Sequence, residues 1–206
     1  MITASGLIRF IQLASAALLF GSFAFYFLVA RPALAGVDGA GLSEFAAFDR
    51  RQLRLARWSV LLVFLSGLSA FWLQIAAVSG LSLVQALSPT VMAGVLLGTR
   101  YGVVWSIRMI FLLFLEVILN RLDRSESANA RALGSLVAAA LVMAPAFSGH
   151  AAAGEGIWLA VQLAVASVHL LAASAWLGGL VIFSWFLVWL GGVDQTWTDA
   201  VGKIAT

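Results

Sequence analysis

The amino-acid sequence predicts an all-α protein, a polytopic transmembrane helix bundle of about five spans, on three observations. Hydrophobic residues fill 63% of the 206 positions and charged residues only 10%, where soluble domains average about 45–50% and about 25%. The mean hydropathy is +1.04. The apolar residues gather into runs able to cross about 30 Å of hydrocarbon as helices, apolar on every side where a membrane barrel strand would alternate.

The first span covers residues 7–30. Its only early basic residue is Arg9, and the run exceeds 20 residues, so it reads as a retained helix and not as a cleaved secretory signal. Arg9 lies close enough to the helix end for its side chain to reach the headgroups. The connection that follows carries Arg31, Arg50, Arg51, Arg54 and Arg57. Within it, Ser43 reads as a cap, Glu44 as a first-turn acid, and Phe45, Phe48, Leu53, Leu55 and Trp58 as one face of an amphipathic lead-in lying on the lipid headgroups.

Span two covers residues 58–78. Residues 80–98, interrupted by Pro89 and Gly94, are expected to fold at the outer interface without crossing. Span three covers 101–119 and contains two ionisable groups. Arg108 sits about two turns inside the boundary marked by Tyr101, where it needs a carboxylate, carbonyls or a water-filled cavity. Glu116 is about 80° from it around the helix, too poorly aligned to pair, and reads as an interfacial carboxylate near Arg121 or Arg124.

Span four, residues 133–148, is short and holds Pro145. Span five, residues 157–190, would be about 51 Å long as one helix and overhang the bilayer by roughly 20 Å. Trp185 and Trp189, followed by Gly191 and Gly192, read as an inner aromatic belt and a stop, so the overhang is expected at the outer end. Residues 197–206 read as the start of a further helix. The whole of 1–206 is read as a single transmembrane domain, with no room for a soluble module.

The arginines of connections one and three, with one in connection two and none in connection four, place those two connections in the cytoplasm and the N-terminus outside. The same placement accounts for the net charge of +3 and excludes a nucleic-acid partner; the partner is the lipid bilayer. Cysteine is absent, which excludes disulfides and thiolate chemistry, so a metal must be held by His, Met, carboxylate or backbone groups. No glycine-rich phosphate loop, HExxH or Ser/His/Asp set occurs, so the chain is not read as an enzyme.

The only two histidines, His150 and His169, flank one short connection. Neutral imidazole is a ligand for copper, zinc or haem iron; a lone membrane histidine also serves in packing or hydrogen bonding. With the overhang outside, His169 is expected level with His150. If span four continues as a helix, Met143, Phe147 and His150 share a face, setting a soft thioether about two turns below the imidazole, a combination suited to Cu(I). Around His169, Ala166, Ala172, Ala173, Gly178 and Gly179 read as an interior packing face, with Trp176 filling the bundle or leaning over a cation.

The segments TRYGVVWSIR (99–108), Asn120-Arg121, GHA (149–151) and HLLAASAWLGGL (169–180), in that order, resemble the copper-resistance protein D family (CopD/PcoD). The resemblance implies a multi-pass protein of the bacterial inner membrane that moves copper from the periplasm towards the cytoplasm and contributes to copper tolerance, alongside a periplasmic copper carrier protein. It implies copper contacts at His150 and His169, with Arg108 and Trp176 as supporting positions; Met143 comes from spacing alone. Family members usually have about eight spans, so the chain is expected to correspond to the N-terminal part of the usual length. Two other readings stay open: a haem-binding membrane redox protein with histidine axial ligands, and an accessory membrane subunit. Homo- or hetero-oligomerisation is left open by the sequence.

Overall fold

The computed structural model describes residues 2–34, 39–125, 127–149 and 155–190, and among these every regular element is helical. Helix α1 (Ile2–Phe25) passes through a π-helical turn (Tyr26–Ala30) into the short α2 (Arg31–Leu34). Pro32 explains the turn: it has no N–H for the Leu28 carbonyl and its ring crowds that turn, so the chain takes in an extra residue and Arg31 N–H bonds back to Tyr26 O. Helices α3 (Gly39–Ser79), α4 (Pro89–Gly98), α5 (Arg100–Arg124), α6 (Ala128–Met143) and α7 (Gly156–Leu190) follow.

Among the described residues, five helical segments are long and apolar enough to cross a membrane: Ala4–Leu34, Phe45–Ser79, Arg100–Arg124, Ala128–Phe147 and Gly156–Leu190. The protein is a multi-pass membrane helix bundle. α1 is its centre, packed against α3, α6 and α7, while α5 joins from the far side against α3, α4 and α6. The main core gathers Leu19, Phe23, Val63, Leu115, Leu119 and Leu141 between these helices. In its most apolar window α1 has 50% of its residues buried, whereas α7 has 22% and is the most peripheral span.

α1 and α7 approach closely because two glycines meet. A methyl on Gly178 would overlap the Ala17 carbonyl, and one on Gly21 would overlap the Gly178 backbone, so small residues let the backbones touch where larger ones would hold them apart. The α4–α5 corner is built from the TRYG residues. The Thr99 hydroxyl accepts from Gly102 N–H at 3.0 Å, capping α5. Gly102 lies against the Val95 and Leu96 backbone with no room for a side chain. Tyr101 and Trp105 stack on Phe71, with centroids 6.2 and 4.3 Å away.

Three expectations change. α3 starts at Gly39 and runs unbroken into the second span, so Ser43 lies within the helix and is not its cap. The lead-in is no separate headgroup helix: Phe45 and Phe48 are buried against Phe25 and Phe186, because a protein partner covers the apolar face that lipid was expected to cover. Trp185 and Trp189 are not a free belt either; they pack 5.1 and 5.4 Å from Phe48. Within residues 80–98, α4 (Pro89–Gly98) is too short to cross and docks on α3 and α5.

Candidate functional site

The arginine-rich end of the bundle holds most of its paired charges. Asp49 of α3 and Arg131 of α6 form an ion pair with side chains only 9% and 6% exposed. The Arg131 guanidinium also lies over the Tyr26 ring, 4.1 Å from its centroid, a cation–π contact that shares the charge with an aromatic face. Nearby, Gln52 donates to the Ser22 carbonyl at 2.6 Å. Arg57 pairs with Asp123 at 2.7 Å and Glu116 at 3.7 Å and donates to Asn120 at 2.8 Å. The partner of Glu116 is therefore Arg57, on another helix, and not the Arg121 or Arg124 expected from its own. These groups tie α1, α3, α5 and α6 together and have the character of a structural lock.

The opposite half carries His169 and Met143, two of the residues expected to hold metal. His169 is exposed on α7. It stands nine positions from the buried Gly178, about 180° around the helix, so it points away from the bundle and not into an interior packing face. Trp176, 67% exposed, is on the same outward side and does not fill the bundle. The buried stripe of α7 is instead Ser174, Gly178, Ile182, Phe186 and Leu190. Sequence reading could not choose between these sides because α7 is apolar all round, and an all-apolar helix has no amphipathic direction.

Met143 is half-buried at the last α-helical position of α6. The following Ala144–Phe147 form a 3-10 turn with Pro145 near its start. The α-helical register that would align Met143, Phe147 and His150 is therefore broken, because proline cannot donate the bond that continues the helix. His150 itself lies outside the described residues, and so does its distance from His169. Among the described residues, no group of three or more His, Asp or Glu side chains comes together to hold a metal.

Arg108 is half-buried, and its Nε has no hydrogen-bond partner among the described residues. One turn away, Gln12, Met109 and Trp105 converge on Gly67: the Trp105 indole donates to the Gly67 carbonyl at 3.0 Å. Beside them, Leu68, Trp72, Ile75, Met92, Leu96 and Trp105 line an apolar groove of about 630 Å³ between α3, α4 and α5. Its second indole, Trp72, is satisfied by the Leu83 carbonyl at 2.8 Å. The groove thus offers hydrocarbon contact and few free polar groups.

Residues 1–161 match the family profile described as "Copper resistance protein D-like, N-terminal domain". The chain belongs to that family. The match takes in α1 to α6 and the first turn of α7, so in this copper resistance D-like protein the Thr99 to Trp105 corner lies within the matched domain, whereas His169 and Trp176 lie beyond it. No curated protein and no solved structure matches the chain. Membership makes this a copper-related membrane protein; the corner residues of TRYG have structural duties, and the residues with free metal-ligating chemistry stand elsewhere.

The charge lock was missed by sequence reading, although a signal for it existed. Asp49 and Gln52 recur with Phe45, Phe48, Leu53 and Ala56 at helical spacing, so polar residues share the buried face of α3. The sequence reading counted Arg131 among the topology-setting arginines of connection three and gave Asp49 no role.

Proposed function

We propose that this protein takes part in moving copper from the periplasm towards the cytoplasm across the bacterial inner membrane, and thereby in copper tolerance. The observation that carries the reading is the copper resistance D-like match over residues 1–161 joined to a helix bundle with, among the described residues, five helices long and apolar enough to cross a membrane. Copper is the cargo. His150 and His169 are the proposed contacts, since imidazole nitrogen binds copper in either oxidation state, and Met143 adds a thioether that favours Cu(I). Arg108 and Trp176 are supporting positions in this scheme.

The bias of arginines towards connections one and three orients the N-terminus outside, so copper would be met at the end away from the Asp49–Arg131 lock, delivered by a periplasmic carrier. No catalytic role is proposed: the protein passes an ion and carries out no bond chemistry. The outward-facing His169 meets copper on the side of α7 away from α1. A change in helix packing, and not ATP hydrolysis by this chain, then opens the way inward.

The test is cellular copper accumulation in cells producing wild-type protein, His150→Ala, His169→Ala and the double variant at matched membrane levels. The reading predicts that each single variant lowers accumulation and that the double variant falls to the level of cells without the protein. Unchanged accumulation in all three variants would remove the reading.

A further inference from the structure

The outward side of α7 poses a physical problem. Gln162, His169 and Trp176 recur at seven-residue intervals, all exposed, with Ala166 and Ala173 between them and the exposed Leu180 continuing the line. Exposed apolar side chains bracket His169 along the helix, from Ile157, Trp158, Val161 and Val165 on one side to Leu177, Val181 and Val188 on the other. The imidazole and the Gln162 amide therefore interrupt an apolar surface. Neighbouring apolar side chains offer them no hydrogen-bond partner, and polar groups on such a face are satisfied across helix–helix contacts.

We propose that two copies of this chain pair through that face of α7, with Gln162, His169 and Trp176 of each copy meeting their counterparts across a two-fold axis. Topology narrows the geometry. Both copies share one orientation in the membrane, so a two-fold axis between them runs along the membrane normal and the two α7 helices are parallel. In a parallel two-stranded seam with a seven-residue repeat, each residue faces its own counterpart.

The residues suit self-pairing. An amide carries both donors and acceptors, and a neutral imidazole carries one of each, so Gln162 with Gln162 and His169 with His169 can each form a hydrogen bond without a third group. Ala166 and Ala173 are small enough to let the helices approach to the distance those bonds need. Trp176 gives each copy a large rigid surface at the seam. The pairing needs no metal, and it goes beyond the copper reading: it holds whether or not copper is the cargo, though it brings two imidazoles to one place.

The absence of cysteine makes the test direct. Single substitutions Gln162→Cys, Ala173→Cys and Trp176→Cys are made in the full chain, with Ala160→Cys and Ala164→Cys as exposed controls about 120° or more around α7 from each of them. Native membranes are treated with a short bis-maleimide, and products are sized and identified by mass. The proposal predicts a product of twice the chain mass, several-fold more abundant at the three seam positions than at the controls. Equal yields at seam and control positions, no dimer at any position, or a seam product containing a different protein would each overturn it.

Discussion

The two ends of this bundle treat polar side chains in opposite ways. At the arginine-rich end the charged groups are paired across helices: Asp49 with Arg131, Arg131 with the Tyr26 ring, Arg57 with Asp123, Glu116 and Asn120. In the other half His169 faces outward and Arg108 makes no ion pair among the described residues; buried polar atoms without a hydrogen-bond partner occur at both ends, Arg108 Nε here and Gln52 Oε1 and Arg57 Nε there. Ion pairs buried between helices specify a packing arrangement, so the first end is cross-linked by charge and the second is not; under the copper reading the second is where cargo would be met.

The largest expected effect comes from breaking the lock. Arg131→Ala leaves the Asp49 carboxylate buried without its cation, and removing one partner of such a pair costs about 3–5 kcal/mol; a marked fall in melting temperature in detergent checks it. Replacing both partners, as Asp49→Leu with Arg131→Met, is expected to restore most of the loss, because an apolar pair of similar volume no longer leaves a charge unpaired.

Next comes the α1–α7 crossing. Gly178→Leu has no space against the Ala17 carbonyl, so the helices must separate, a strain of about 1–3 kcal/mol or more. Gly179→Ala, one residue on, has open space around it and is expected to change the melting temperature little. A smaller effect is expected from Arg57→Gln. Its partners are 44% and 38% exposed, and ion pairs of this kind contribute about 0–1 kcal/mol; raising the salt concentration should shrink the difference between wild type and variant. The smallest effect on the fold of the single chain belongs to His169→Ala, a position exposed there, within about 0.5 kcal/mol.

The five spans were legible in the sequence because hydrocarbon sets a length and apolarity that few other structures require. The short α4 was legible for the converse reason, since Pro89 and Gly94 interrupt its run. What failed were choices between lipid and protein as the cover for an apolar face. Phe45, Phe48, Trp185 and Trp189 looked like interface residues and instead pack on one another. His169 looked interior and faces out. Both errors have one cause: in a membrane protein the outside is as apolar as the inside, so side-chain polarity stops reporting which way a residue points. The Asp49–Arg131 pair was hidden by distance, its partners being 82 residues apart, and the π turn ahead of Pro32 was not read from the sequence.

The central claim is that the outward imidazole on α7 handles copper and does not hold the fold. Cu(I) binding to purified protein in lipid nanodiscs, read by metal analysis with an optical spectrum, for wild type and His169→Ala side by side, tests it most directly. The account predicts that wild type binds copper, shows no haem band, and that His169→Ala loses binding at an unchanged melting temperature. Equal copper binding by the two proteins, or a haem spectrum in the wild type, would contradict it.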